Sequence, residues 1–138
     1  ARIVEEWLST AKHPRFQQPY TACVYIPMVQ LLAFLRKNQF KTFIVSGGGV
    51  EFVRVFSERV YGVPPHQVVG TTIKTRYEER QGIPTLVRLP EIDFIDDKAG
   101  KPVAIQKFIG KPIRPPTLVL MHQCFRINSP LLSAGLTG

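Results

Sequence analysis

The sequence predicts an α/β fold, in which a parallel sheet carries flanking helices and a β-hairpin insertion. The first observation is a short β-rich run, KTFIV at residues 41–45, which lies between two helical patterns. The second is a pair of alternating segments, residues 69–79 and 85–89, which are joined by the turn sequence QGIP. Helix–strand–helix order is typical of α/β folds, and alternating segments around such a turn are typical of hairpins.

The first two helices are predicted from apolar side chains at helical spacing. Residues 3–12 place Ile3, Trp7 and Leu8 on one side, and His13-Pro14 stops the helix. Pro27 suits the first turn of the second helix, which ends near residue 38. The predicted core residues of this second helix follow at i, i+3, i+4 and i+7: Met28, Leu31, Leu32 and Leu35.

The later elements follow from similar patterns. Residues 50–61 predict one helix, which Gly62 closes. A short helix over residues 103–109 follows Lys101-Pro102 and ends at Gly110. Residues 117–121 are interpreted as one more strand, and no regular periodicity follows them.

Length and composition favour one domain without a membrane-spanning segment. The chain has 138 residues, of which 44% are hydrophobic, enough for a single core. No apolar run approaches the roughly 18 to 20 residues that a membrane-spanning helix needs. Cys23 and Cys124 are far apart, which favours reduced thiols and a cytoplasmic location. The histidines have no second ligand at helical spacing, so we expect no zinc site.

The strand at residues 41–45 runs directly into Ser46-Gly47-Gly48-Gly49, and a predicted helix follows. This order brings a hydroxyl, backbone N–H groups and a helix N-terminus to one point, a geometry that binds phosphate. The alternative is a serine cap beside glycines that a tight turn requires. The pattern by itself does not separate the two.

Lys101 is the second candidate residue, because it stands at the mouth of a different helix. A lysine in such a position can offer its ammonium group to a phosphate as a point charge. The alternative is a lysine that faces solvent, as most lysines do.

These two segments together resemble the haloacid dehalogenase superfamily of hydrolases, in its phosphoserine-phosphatase-like branch. FIVSGG at residues 43–48 is similar to the second motif of that family, and DDKAGKP at residues 96–102 is similar to the third. The resemblance covers about residues 3–111. Shorter similarities lie at residues 25–28, 35–36 and 61–64.

The resemblance implies a fold and a site. The fold is an incomplete Rossmann-like parallel sheet of the haloacid dehalogenase type, which we assign to residues 1–112. Ser46 would hydrogen-bond the phosphoryl group beside the backbone of Gly47 and Gly48, and Lys101 would neutralise its charge. Positioning and charge neutralisation are what a phosphoryl transition state mostly needs. The cofactor that the resemblance implies is Mg²⁺.

The motifs that supply the carboxylates in that family have no counterpart in this chain. The reaction of the family starts from an Asp-x-Asp motif on the first strand, but Glu5 and Glu6 are the only acids before Glu51. The fourth motif is acidic, whereas no Asp or Glu follows Asp97. We therefore expect no bound Mg²⁺ and no catalytic nucleophile.

We also expect no ordered aspartate carboxylate within reach of Ser46 Oγ and Lys101 Nζ. Asp93, Asp96 and Asp97 precede the helix of Lys101, and we interpret them as lying on its far side. That placement would make them weak substitutes for the missing metal ligands.

Residues 113–138 are interpreted as a divergent C-terminal tail. The resemblance stops near residue 113 and the tail has no acids, as an out-of-frame segment would. The absent first motif suggests a truncation at the N-terminus. Loss of a central strand would expose sheet edges, so we expect either self-association or pairing by residues 117–121.

The favoured hypothesis is a phosphatase homologue that binds phosphate or a phosphomonoester but does not hydrolyse it. A second hypothesis is an active Mg²⁺-dependent phosphatase that a missing segment or another chain completes. A third is a basic nucleic-acid-binding module, because the formal net charge is +8 and cations alternate along the hairpin. Those cations are Lys74, Arg76, Arg80 and Arg88. No nucleic-acid-binding signature supports the third hypothesis, and no membrane partner is expected.

Overall fold

The computed structural model describes residues 2–110 and the strand at residues 117–122. Apart from that strand, the tail predicted over residues 113–138 lies outside the described residues, and so does Cys124. The elements in chain order are α1 (Arg2–Thr10), α2 (Ile26–Lys37), β1 (Lys41–Gly49), α3 (Val50–Arg54), α4 (Ser57–Tyr61), β2 (Val68–Arg80), β3 (Ile83–Phe94), α5 (Gly100–Ala104), a π-helical turn (Ile105–Ile109) and β4 (Thr117–His122). Two short 3₁₀ turns occur at Tyr20–Ala22 and Pro65–Gln67.

The four described strands form one mixed sheet in the order β3-β2-β1-β4. β1 runs parallel to β2 on one side and to β4 on the other. β2 and β3 form an antiparallel hairpin. These strands confirm the predicted α/β class, the hairpin and the strand at residues 117–121. β4 pairs with the edge of β1 that was expected to be exposed by loss of a central strand.

The serine-glycine segment belongs to β1, not to a loop as predicted. Ser46 pairs with Gly70 of β2, and Gly49 pairs with the next residue of β2, Thr71. Between these two pairs β1 advances by three residues, whereas β2 advances by one. Gly47 and Gly48 therefore form a β-bulge. Glycine permits this local distortion because it has no Cβ to clash with the neighbouring backbone.

The single helix predicted over residues 50–61 is two short helices. α3 ends at Arg54 and α4 begins at Ser57, because Phe56 has a non-helical backbone with φ −122° and ψ −6°. Gly62 ends α4 in the left-handed conformation with φ 65°, as the sequence predicted. The predicted short helix near Lys101 begins at Gly100 and changes to a π-helical turn at Ile105.

The core has two parts, which lie on the two faces of the sheet. One contains Ile44, Val50, Val63 and Val68, so it joins β1 and β2 to α3 and the segment after α4. The other contains Val45, Val69 and Ala104, so it joins the same strands to α5. Successive side chains of a strand point to opposite faces, which explains why neighbours in β1 and in β2 serve different parts of the core.

A chain of aromatic contacts attaches α1 to the rest of the domain. Trp7 stacks on Tyr20 with 5.1 Å between ring centroids and lies 6.1 Å from the ring of Phe52. Phe56 lies 5.8 Å from Phe52 and 6.3 Å from Tyr61. The predicted helix at the N-terminus is therefore held in part by aromatic contacts, together with the buried side chain of Leu8.

Two residues that the helical spacing assigned to the core are exposed. Ile3 is 78% exposed and Leu31 is 43% exposed, whereas Leu8 and Leu32 are buried. Each helix packs through one side only, so an apolar residue at the margin of the predicted face stays in solvent. None of the described helices is long and apolar enough to cross a membrane.

The β2–β3 hairpin carries exposed apolar side chains in cross-strand pairs. Ile73 lies opposite Ile92, and Tyr77 lies opposite Leu86, with all four exposed. β3 contains Pro84 and Pro90, which have no backbone N–H to donate. Proline is typical of edge strands, and it disfavours pairing with a further strand. Self-association through sheet edges stays a prediction.

Adjacent leucines of α2 provide a test of this packing. Leu32 is fully buried, so Leu32→Ala should lower the free energy of unfolding by about 2 to 5 kcal/mol, through lost burial and the cavity left behind. Leu31→Ala is the matched control, and we expect less than about 1 kcal/mol because Leu31 is 43% exposed and buries less apolar surface than Leu32. Urea unfolding of both variants measures the difference. Equal losses would contradict the described position of α2.

Candidate functional site

The candidate site is built at the carboxyl end of β1, where the regular strand gives way to the glycine bulge. Ser46 is 3% exposed and is the last residue of β1 before the bulge. The backbone N–H of Gly48 donates a hydrogen bond to Ser46 Oγ over 3.2 Å. The bulge therefore folds back over the serine hydroxyl, and both glycines of the predicted site lie beside it.

Residues of β2 support the bulge from the neighbouring strand. A Cβ on Gly70 would lie 2.8 Å from the carbonyl oxygen of Gly48, so only glycine permits this close approach. Thr71 Oγ1 donates to the carbonyl oxygen of Gly47 over 2.8 Å and accepts from the backbone N–H of Asp96 over 3.1 Å. One hydroxyl thus connects the bulge to the segment that leads into α5.

The segment between β3 and α5 is a tight turn. The backbone N–H of Gly100 donates to the carbonyl of Asp97 over 2.7 Å, and that of Lys101 donates to the carbonyl of Lys98 over 3.2 Å. A side chain at Gly100 would collide with the carbonyl oxygen of Ile95. This compact turn places Asp96 and Lys101 close together at the end of β1.

Lys101 is buried, so the alternative that it faces solvent is wrong. Its side chain is drawn into the protein from α5, and the residue is 5% exposed. Nζ donates a hydrogen bond to the carbonyl oxygen of Val45 over 3.1 Å, across 56 residues of chain. Val45 immediately precedes Ser46, so the fold brings the two predicted phosphate-binding residues to one place.

Asp96 contradicts the expectation that no aspartate carboxylate lies near Ser46 and Lys101. It is fully buried, and no group in the described part of the chain is in hydrogen-bonding geometry with either carboxylate oxygen. The turn reverses the chain between Asp96 and Lys101, so the carboxylate lies on the same side as the ammonium. The spacing of residues in the sequence did not predict this reversal of the chain.

The pKa of Asp96 is raised, mainly because burial removes water from the carboxylate. The positive charge of Lys101 and the backbone N–H of Ser46 act in the opposite direction, and the negative charge of Asp97 adds to the rise. The ammonium of Lys101 and the backbone at Ser46 therefore both act on this carboxylate.

Asp97 and Asp93 take different positions. A Cβ on Gly47 would lie 3.1 Å from Asp97 Oδ1, so the exposed Asp97 side chain packs closely over the bulge. Asp93 is exposed on the hairpin, where Thr72 Oγ1 donates to its carboxylate over 3.1 Å. Of the three aspartates, two contribute to the cluster and one does not.

The cluster offers donors for an anion. The Ser46 hydroxyl, the backbone of the glycine bulge and the Lys101 ammonium are groups that recognise phosphate oxygens. The described residues contain no group of three or more His, Cys, Asp or Glu side chains arranged to hold a metal ion. This donor set does not fit a magnesium site formed by the described residues alone, because Mg²⁺ needs several oxygen ligands.

A separate groove of about 510 Å³ shares no residue with this cluster. Its lining residues come from α1, the loop after it and α4: Glu5, Glu6, Leu8, Ser9, Pro19, Thr21 and Arg59. The groove is open to solvent, and its acidic side chains do not suit a phosphate.

Three contributors to the cluster were not predicted from the sequence: Gly70, Thr71 and the carboxylate of Asp96. Asp96 lies within the DDKAGKP segment. The sequence shows that a carboxylate is present there, but it does not show that the side chain points into the protein. Gly70 and Thr71 lie in β2, where the alternation of apolar and polar residues predicted a strand but not its partner strands. Their roles depend on pairing with β1, which is a long-range contact.

Replacing Thr71 should weaken the junction between the bulge and the turn. Thr71→Val keeps the shape but leaves the partly buried Gly47 carbonyl and the Asp96 N–H without this partner. We expect a loss of about 1 to 3 kcal/mol in the free energy of unfolding. Thr72→Val is the control, because the Thr72 hydrogen bond is exposed. A Thr71→Val variant as stable as the control would contradict the junction.

The raised pKa of Asp96 predicts a pH dependence of stability. The folded protein retains a proton on Asp96 that the unfolded chain releases near its ordinary pKa of 3.8. The contribution of this group to stability is therefore greatest below that pH and declines as the pH rises through the folded pKa. Relative to the wild type, Asp96→Asn should become progressively more stable from about pH 4 upward and then level off.

Urea unfolding of both proteins across this pH range measures the difference. Asp93→Asn, on the exposed hairpin, is the matched control. An Asp96→Asn difference that stays flat with pH, or that falls as the pH rises, would show that the carboxylate is not destabilised by burial.

No protein-family model matches this chain, and no curated protein matches it. The resemblance to the haloacid dehalogenase superfamily therefore rests on the motif residues themselves, and the activity it implies stays a prediction. The hydrogen bond from Lys101 to the Val45 carbonyl places Lys101 beside Ser46, and the charge of Lys101 acts on Asp96.

Proposed function

We propose that this domain binds a phosphate or phosphomonoester at the end of β1 and does not hydrolyse it unaided, as a haloacid-dehalogenase-like phosphatase homologue. One observation carries the proposal. Lys101, from a helix far along the chain, reaches the carbonyl of Val45 beside Ser46 and the glycine bulge. Two segments with independent phosphate-binding features thus meet at one point, which supports a common anion site.

Each residue has a separate role in this proposal. The hydroxyl of Ser46 donates to a phosphate oxygen, which is compatible with its acceptance of the Gly48 N–H. Gly47 and Gly48 allow the backbone to approach the anion, because no Cβ intervenes. The ammonium of Lys101 supplies positive charge in a dry environment, where it acts more strongly than in water.

Hydrolysis would need a carboxylate nucleophile or an activated water molecule. Among the described residues Asp96 is the buried carboxylate beside Ser46 and Lys101, and its raised pKa disfavours the ionised form that attacks phosphorus. We therefore propose binding without turnover. An active phosphatase completed by another segment or chain would draw on carboxylates supplied from outside the described residues.

The nucleic-acid hypothesis has less support. Lys74 and Arg88 pair with Glu91 and Glu51, at 2.6 and 2.9 Å, and Arg76 and Arg80 both pair with Glu78, at 2.5 and 3.0 Å. Residues 68–94 contain four basic and four acidic side chains. A nucleic-acid surface needs cations in excess along the phosphate path, and this hairpin has no excess.

Direct binding of inorganic phosphate tests the proposal. Titration calorimetry of the wild type should show saturable binding, and Lys101→Met should weaken it about tenfold or more, because a hydrogen bond to a charged group is lost. Lys107→Met is the control, since Lys107 is exposed in the same helical segment. Ser46→Ala should also weaken binding, whereas Ser57→Ala, another buried serine, should not.

The same proteins incubated with p-nitrophenyl phosphate and Mg²⁺ should show no turnover above background. Turnover that Ser46→Ala, Lys101→Met or Asp96→Asn abolishes would overturn the proposal of binding without hydrolysis. Absence of phosphate binding by the folded wild type would overturn the site.

A further inference from the structure

When Asp96 is ionised, the cluster around Lys101 contains its own anion. Asp96 is fully buried within the field of the Lys101 ammonium, and Asp97 packs over the glycine bulge. The positive charge of Lys101 acts on the Asp96 carboxylate from α5. A phosphate dianion placed at Ser46 would therefore add negative charge next to two existing negative charges.

The groups that act on the Asp96 carboxylate come from three elements. Lys101 approaches from α5, Asp97 from the same turn, and the backbone N–H of Ser46 from β1. β2 contributes Thr71, whose uncharged hydroxyl holds the Asp96 backbone in place. Neither oxygen of Asp96 reaches full hydrogen-bond geometry in the described part of the chain, so the buried ionised carboxylate is poorly compensated and its protonated form is favoured.

Resting on the proposed function, we infer that Asp96 is an internal competitor for the anion site, and that an incoming phosphate-like anion binds together with one proton from solvent, which Asp96 takes up. Protonation of Asp96 removes one of the two negative charges that oppose the ligand. Asp96 thus acts as a positioning residue that makes anion affinity depend on pH.

Like charges disfavour each other strongly in a buried site, because the low dielectric constant weakens screening. A buried carboxylate next to a second anion therefore binds a proton more readily, as in paired carboxylates that share one site. By linkage, the same coupling makes the anion bind more tightly where the proton is available. The tight turn between β3 and α5 holds both the ammonium that attracts the anion and the carboxylate that competes with it.

Sulfate is the probe for the test, because its charge stays constant over the working pH range, whereas phosphate itself titrates. Calorimetric titrations run from about pH 5 to about pH 8 at constant ionic strength, in buffers of different ionisation enthalpy. We expect the wild-type affinity to fall by about tenfold for each pH unit between the pKa of Asp96 in the free protein and its higher pKa in the complex, with uptake of close to one proton in that range. The proton count needs no variant, so it holds even if a substitution impairs folding.

Asp96→Asn should bind sulfate more tightly than the wild type near pH 7, without this pH dependence. Asp93→Asn controls for a change in net charge. His122→Gln controls for histidine titration, because His122 lies opposite Ser46 in the β1–β4 register. Both controls should keep the slope of the wild type.

The outcomes separate the two proposals. Sulfate binding with no proton uptake, or with an equal slope in wild type and Asp96→Asn, would overturn the competitor role and leave the anion site intact. Loss of the slope in His122→Gln would assign it to the histidine and overturn the role of Asp96. No binding of sulfate or phosphate by the folded wild type would overturn the proposed function, and this inference with it.

Discussion

The hydrogen bond from the Lys101 ammonium to the carbonyl of Val45 is the interaction on which the organisation of this site depends. A buried ammonium is costly unless polar groups compensate it, so its position constrains everything around it. It requires α5 to lie against the end of β1, and it requires the turn before α5 to be compact. Gly100 satisfies the second requirement, because any side chain there would collide with Ile95.

The same contact explains why polar groups accumulate where an apolar core would be more stable. Ser46, Asp96 and Lys101 are all buried, although Val45 and Val69 beside them form an ordinary apolar core. Buried polar groups with incomplete partners lower stability, and proteins tend to retain them at functional sites. Asp96 is such a group here, because neither of its carboxylate oxygens reaches full hydrogen-bond geometry among the described residues.

The net charge of the whole chain did not predict the local charge on the surface of the hairpin. The chain has a formal charge of +8, but the four cations of β2 and β3 all pair with glutamates. Glu78 lies between Arg76 and Arg80, whose hydrogen bonds lower its pKa. Such exposed pairs contribute little to stability, yet they decide that this surface has no local excess of positive charge.

Local periodicity was sufficient to predict most elements of the fold. Alternation predicted the hairpin, helical spacing predicted α1 and α2, and a β-rich run predicted β1, because these patterns reflect the geometry of single elements. The break between α3 and α4 and the exposure of Leu31 were not predictable in this way. Spacing shows which side chains share a face, but it does not show how much of that face a neighbour covers.

The sequence by itself determined the residue types of the site: a serine followed by glycines at the end of a strand, and a lysine at the start of a helix. Only the tertiary structure decided that Ser46 and Lys101 meet, that Gly47 and Gly48 form a bulge against Gly70, and that Asp96 turns inward beside them. The physical reason is that these contacts join segments distant in the chain. Their geometry depends on strand pairing and on one tight turn, and neither leaves a periodic pattern in the residues.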